Sequence, residues 1–319
     1  MEMIDEYKLL CRVVGGFTDW IQGAGGNISI KDESINRIIL KKSGATVSSQ
    51  TNGLVCDLQK IRQSFKIGCE DVSSAVLDGI GSPSIEAFLH AFPARIIVHA
   101  HPYPLLNKLC RSESIDIPCI ETKTVNYFKP GIPVANALLS VYDERIRVYF
   151  LRNHGVVIMG DTFEDIMHTM NLVSKACFDG IYTDVELAVN LSRSITSLSE
   201  KPIFIKTFFN TASTILGRIF LPYTPDIAVF LKESPIVIEY NGQDVVVEIT
   251  RYVSKYGYFP SVVSARGVFY IIGNSIESCH SIHEILQSYI HIAGVANFLS
   301  TDEVAEIVNW DKEKLRQNE

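Results

Sequence analysis

The chain has no Cys-x-x-Cys spacing; its seven cysteines, at 11, 56, 69, 110, 119, 177 and 279, are odd in number and scattered. That pattern argues against a disulfide framework or a cysteine-built zinc site and for reduced thiols in a cytoplasmic protein. A basic surplus is also missing. With 29 Lys and Arg against 36 Asp and Glu the net charge is −7, so a nucleic-acid partner, which calls for a basic stripe, is not expected. Charged residues interrupt every apolar run before the roughly 18 residues of a membrane span. The opening MEMIDEYKLL has no basic region ahead of an apolar one, and neither export nor membrane insertion is expected. Nor is there a nucleotide fingerprint. Glycines 23, 25 and 26 do not form G-x-G-x-x-G between a strand and a helix, and no P-loop pattern occurs.

What is present, over 319 residues of which 47% are hydrophobic, is enough apolar surface for one large domain and a smaller one. The most informative stretch is PSIEAFLHAFPARIIVHAH, residues 83–101. Residues 84–91 read as a helix ended by Pro93, which places Glu86 and His90 one turn apart on a shared face. Residues 95–101 are β-branched and read as a strand, with His99 and His101 projecting from the same side. Two such imidazoles can grip one cation, each nitrogen about 2.0–2.1 Å from a zinc-like ion. They can equally be two polar residues ending a strand. His90 either orients Glu86 or packs structurally.

Along the rest of the chain, residues 6–16 have helical spacing, 27–30 and 37–41 read as strands, and 70–79 as a helix. Between them, the loops GAGG (23–26) and SGAT (43–46) are hairpin turns or, with their exposed N–H groups and hydroxyls, cradles for a phosphate or carboxylate. A helix through residue 109, a turn-rich link at 125–133 and a helix at 135–142 follow. Strands at 145–151 and 156–159 flank Asn153-His154-Gly155, so His154 falls in a tight turn, where core filling explains it poorly. Asp161 or Thr162 caps a helix at 163–178.

In this order, GAGGNISIK, KKSG, PSIE with its trailing His, VHAHP, YFKPG and LRNHGVVIMGD resemble the class II aldolase/adducin family over residues 5–200. The resemblance implies an α/β fold: a three-layer α/β/α domain with a largely antiparallel central sheet, at 1–218, and a smaller α+β extension at 219–319. Such an extension occurs in longer members, including the aldolase portion of rhamnulose-phosphate aldolase/dehydrogenase fusions. It further implies that His99, His101 and His154 bind a divalent metal, usually Zn²⁺, that Glu86 is the catalytic carboxylate, and that Asn27, Ser43 with Gly44, and Ser84 bind phosphate. A homo-oligomer, a tetramer foremost, is implied as well. Some members use a tyrosine as proton donor, for which Tyr127 is the candidate here. One position departs from the phosphate-specific members, which tend to have a second serine where this chain has Ile85.

The implied activity is that of a metal-dependent lyase, cleaving or forming a C–C bond in a small sugar phosphate or related hydroxy-carbonyl compound. An epimerase, dehydratase or decarboxylase on the same metal is the alternative within that chemistry. A different class remains, an adducin-like interaction module without catalysis, although such domains are expected to lose the histidines that this chain retains. Beyond residue 200, four strands are expected at 227–231, 236–240, 245–250 and 267–272, with Asn241-Gly242 as a hairpin turn. Helices are expected at 275–298 and 301–316, the latter capped by Thr301 and anchored by Trp310. His280 and His283 are read as surface or packing residues.

Overall fold

Strands buried on both faces build most of the first sheet, and the alternation of side chains along each strand decides which of them can meet. The computed structural model describes residues 2–49, 53–199, 201–209, 222–231, 236–238, 245–292 and 298–309. Two compact units are present, Met1–Glu186 and Leu187–Glu319. The domain boundary expected at 218 falls outside the described residues.

The first unit holds an eight-stranded sheet in the order β4-β3-β2-β1-β5-β8-β7-β6. Its strands are β1 (Asn27–Asp32), β2 (Arg37–Lys41), β3 (Gly53–Asp57), β4 (Val76–Asp78), β5 (Ile96–Ala100), β6 (Thr122–Val125), β7 (Val148–Leu151) and β8 (Gly155–Gly160). Every pairing is antiparallel except β6 with β7. The expectation of a largely antiparallel sheet holds. One face carries Ile38, Leu40, Leu54, Cys56, Ile97, Tyr149, Val157 and Met159, all buried. That face packs against helix α2 (Leu58–Ile67), the turn at 87–90 and helix α4 (Ile132–Val141). The other face carries Ile28, Ile30, Ile96 and Val98, also fully buried, and meets α1 (Met3–Val14), α3 (Tyr103–Cys110) and α5 (Phe163–Cys177). Each such aliphatic side chain contributes about 1.5–3 kcal/mol by leaving water, and covering both faces yields the three layers. Thr162 caps α5 through a reciprocal capping box with Asp165.

Several expectations fail for identifiable reasons. Residues 84–91 are not an α-helix; a 3₁₀ turn spans Ala87–His90. The hydroxyl of Ser84 accepts from Glu86 N and its carbonyl from Ala87 N, a local alternative to helix that serine offers. At three residues per turn, Glu86 and His90 no longer share a face. Glu86 turns toward His154, while His90, fully buried, sets its Nδ1 2.8 Å from Ser29 Oγ. Residues 70–79 form a short 3₁₀ turn, Ser73–Ala75, running into β4.

In the second unit, β9 (Phe204–Phe209), β10 (Ile236–Ile238), β11 (Val262–Ala265) and β12 (Val268–Gly273) form a sheet in the order β10-β11-β12-β9. Two of the four expected strands are helices. Residues 227–231 lie largely in α7 (Pro225–Phe230), which comes after α6 (Val185–Thr196) in the chain and which Thr224 caps ahead of Pro225. The β-branched run 245–250 begins α8 (Val245–Tyr256), where Ile249 and Tyr252, three apart, supply one buried stripe that overrides β propensity. The observed two-residue hairpin is Arg266-Gly267, both at positive φ (52° and 81°), which joins β11 to β12 as such turns require. Asn241-Gly242 and Trp310 lie outside the described residues. Helices α9 (Ile276–Ile292) and α10 (Thr301–Asn309) follow. Ser300, rather than Thr301, caps α10, its hydroxyl accepting from Glu303 N at 3.3 Å. His283 packs its ring on Phe208 at 4.4 Å. Among the described residues no helix is long and apolar enough to cross a membrane.

Lys31, only 1% exposed, donates from Nζ to Phe92 O. Burial, reinforced by Arg62 and opposed by Glu33 and Asp161, pushes its pKa down from 10.5 to about 7. The unfolded chain therefore takes up this proton before the folded one does, so the residue's cost to stability is absent above 10.5, grows as pH falls, and levels below 7. Relative to wild type, Lys31→Met is expected to gain stability progressively from pH 10 to pH 7, read by denaturant midpoints at each pH. An offset that is constant with pH would show that the amine titrates normally.

Candidate functional site

Antiparallel register brings the expected site residues together at one end of the sheet. Asn27, first in β1, pairs with His99, next to last in β5. His101 follows β5 directly, and the turn 152–154 between β7 and β8 delivers His154 beside them, with Asn153 at φ 53° to close it. Glu86 joins from the turn before the 3₁₀ segment. One ligand atom from each of Glu86, His99, His101 and His154 lies within 4.8 Å of all the others.

Close backbone contacts hold this cluster. A side chain on Gly155 would meet Ala100 O at 2.2 Å and the His101 ring at 2.9 Å. One on Gly25 would meet His101 Nδ1 at 3.0 Å, and one on Gly26 would meet His99 O at 2.9 Å. The GAGG loop is thus required to be bare where it packs on the two histidines, a role separate from any anion contact.

The donor set suits a divalent cation. His99 Nδ1 lies 3.0 Å from Val156 O; donation there fixes the tautomer and leaves Nε2 as a lone pair facing the cluster. His99 Nε2 stands 2.9 Å from His101 Nε2 and 3.4 Å from Glu86 Oε1. His154 Nε2 stands 2.9 Å from Glu86 Oε1. Ligand atoms on a tetrahedral ion at 2.0–2.1 Å are about 3.3 Å apart, and these spacings bracket that value. Burial, then the charge of His99, pushes His101 down to about 3. The imidazole is neutral at pH 7, as a ligand must be. Burial opposes ionisation of Glu86, but His99 and His154, when their rings carry a proton, outweigh it by charge and hydrogen bonding and hold the carboxyl well below its usual range; a bound cation takes over that role once Nε2 of His99 is a ligand lone pair.

The expected anion-binding residues form one stitched patch. Ser84 N donates to Lys41 O, and Ser43 N to Ser82 O. Asn27 Nδ2 reaches Ser84 Oγ at 3.1 Å and Glu86 Oε2 at 3.0 Å, which occupies both of its hydrogens. Asn27 therefore fixes the carboxylate, while Ser43 and Gly44 are exposed. Tyr127 is 59% exposed and Ile85 65%.

Sequence reading passed over Lys41. Its side chain is buried, and Nζ donates to Ala24 O at 2.5 Å and Ala45 O at 2.7 Å, so one ammonium ties the two glycine-bearing loops together. The signal available was alternation: Lys41 shares a strand face with Ile39, whereas Lys42 does not. Lys41→Met is expected to release both carbonyls and weaken anion binding about tenfold or more, since hydrogen bonds to charged groups contribute about 1.5–3 kcal/mol. Metal content should be unchanged. Titration with inorganic phosphate, with metal analysis alongside, checks both.

A profile of the Class II Aldolase and Adducin N-terminal domain family matches residues 9–178. No curated protein matches the chain. Among solved structures, the N-terminal class II aldolase domain of a conserved protein from Thermoplasma acidophilum is similar at 23% identity, covering 55% of this chain and 92% of that one, with a TM-score of 0.47. An L-fuculose-1-phosphate aldolase from Thermus thermophilus is similar at 16% identity, covering 55% and 91%, with a TM-score of 0.41. A sugar-phosphate aldolase from Thermotoga maritima is similar at 16% identity, covering 63% and 97%, TM-score 0.41. Because the family profile spans more than half of its 319 residues, the chain belongs to the class II aldolase and adducin family.

Proposed function

We propose that this protein is a divalent-metal-dependent lyase that cleaves or forms a C–C bond in a small sugar phosphate or related hydroxy-carbonyl compound. The convergence of Glu86 with three imidazoles carries this reading; an interaction module has no need for a buried carboxylate held among them. A cation, zinc foremost, held by His99, His101 and His154 would supply a Lewis acid for the negative charge that develops on a substrate's carbonyl and adjacent hydroxyl oxygens. Glu86 is the proton carrier. Asn27 anchors its Oε2, so Oε1 is the atom that takes a proton from the carbon beside the carbonyl in the synthetic direction and returns it in cleavage. Ser84 Oγ accepts from Asn27 and Glu86 N, which leaves its hydrogen to donate to a substrate anion, joined by Ser43 and Gly44.

Ile85 brings no hydroxyl to this patch, which favours a substrate whose anion is held by fewer hydroxyl donors, a carboxylate included. That observation keeps epimerase, dehydratase and decarboxylase chemistry in play on the same residues. The same reading includes a homo-oligomer, a tetramer foremost. Incubation of metal-loaded protein with ketose and aldose phosphates and with hydroxy acids, products separated by chromatography, is expected to yield aldol fragments from at least one substrate. Isomerised, dehydrated or decarboxylated products without fragments would replace the lyase reading by the corresponding alternative.

A further inference from the structure

Glu86 sits on a segment, residues 84–92, that belongs to no strand. Its internal backbone bonds are short-range turns, from Ala87 N to Ser84 O, Leu89 N to Glu86 O and Ala91 N to Phe88 O. What ties it to β1 is a row of side chains. Asn27, Ser29 and Lys31 alternate along that strand and so share a face. Asn27 Nδ2 donates to Ser84 Oγ and Glu86 Oε2, Ser29 Oγ stands 2.8 Å from His90 Nδ1, and Lys31 Nζ donates to Phe92 O. The same strand neighbours β5, where Asn27 is paired with His99. The row therefore sets where Glu86 stands relative to the histidines.

His90 is the costly member of that row. Its chain neighbours Phe88, Leu89, Ala91 and Phe92 belong to the apolar core, and the ring itself is fully buried. Its Nε2 has no hydrogen-bond partner among the described residues, an arrangement that costs stability. A leucine at this position would suit the surroundings and orphan no atom. Burial, above all, holds the imidazole well below its usual pKa, so the ring is neutral at pH 7 and offers Ser29 a hydrogen bond without charge. That bond is what the histidine adds. The Ser29 hydroxyl, equally buried, has no other partner among the described residues.

We propose that His90 is a positioning residue: its bond to Ser29 locks residues 84–92 in register on β1, so that Glu86 Oε1 is held 3.4 Å from His99 Nε2 and 2.9 Å from His154 Nε2. The inference rests on the metal-site reading of that cluster, in which Glu86 contributes one of four converging ligand atoms. A carboxylate that drifts from this place attracts a cation less.

Zinc affinity of Ser29→Ala/His90→Leu, measured by competition with a chromophoric chelator, tests it. Replacing both partners by apolar groups leaves neither atom of the bond unpaired, so this variant should melt close to the wild-type temperature. It should still bind zinc about tenfold more weakly, the low end of the roughly 10–100-fold effect of groups that orient metal ligands. In the Glu86→Gln background the same double substitution should change zinc affinity by less than about twofold, since no carboxylate remains to be misplaced and the two effects are coupled. His90→Asn, whose amide replaces Nδ1 as a partner for Ser29, should stay within about threefold of wild type. If the double variant unfolds, Ser29→Ala alone, in both backgrounds, decides by the same criteria. Unchanged zinc affinity in the folded variant, or an equal loss with and without the Glu86 carboxylate, would overturn the proposal and leave the metal site standing. Wild-type protein without zinc affinity would overturn both.

Discussion

Purified protein is expected to carry about one divalent ion per chain, zinc foremost, and the His99→Ala/His101→Ala double variant to carry none. The two substitutions remove nitrogens that face each other at 2.9 Å and leave His154 with Glu86, too few ligands to hold an ion against a chelator. The variant also loses the bond from the fully buried His99, Nδ1 to Val156 O, so circular dichroism must accompany the metal analysis. His154→Ala provides a second route, because its side chain is in a turn and not in a strand. A folded double variant that retains stoichiometric metal would place the centre elsewhere. Wild-type protein with neither bound metal nor affinity for added zinc would end the enzyme reading.

Glu86→Gln is expected to keep the metal and lose turnover by about 10²–10⁴-fold, the usual contribution of a positioned proton carrier. The amide has the shape of the carboxylate, and its oxygen still accepts from Asn27 Nδ2, so the side chain stays anchored. What disappears is the ionised oxygen that stands 2.9 Å from His154 Nε2. Two readouts separate roles: kcat on whichever substrate the screen identifies, and deuterium uptake at the carbon beside the carbonyl in D₂O. Turnover and exchange at wild-type rates would assign Glu86 to structure.

Both experiments rest on residues that the sequence singled out, the histidines by local pattern and Glu86, as a catalytic carboxylate, through the family resemblance. His99 and His101 are visible because alternation in a strand puts i and i+2 on one side, and that rule needs no knowledge of the rest of the fold. His154 stood out because a histidine in a three-residue turn between two apolar strands has no packing role there. The glycines of GAGG were legible as turn formers, but their closeness to His99 and His101 depends on β1 pairing with β5, some seventy positions away in the chain. Lys41 is similar: its alternation with Ile39 predicts burial, whereas its two carbonyl partners come from different loops. The helix expected at 84–91 failed because a serine hydroxyl competed locally for the backbone, and with it went the shared face of Glu86 and His90. In the second unit, β-branched runs were read as strands where a single buried stripe made them helices.

The sequence by itself determined the residue types of the candidate metal cluster and the strand alternation that aims His99 and His101, because those properties are written in neighbouring residues. The tertiary structure alone decided that Asn27 holds Glu86, that one buried ammonium ties two loops, and that His90 meets Ser29. Each of these depends on groups far apart in the chain meeting within hydrogen-bonding or van der Waals distance, and sheet register and packing set such distances.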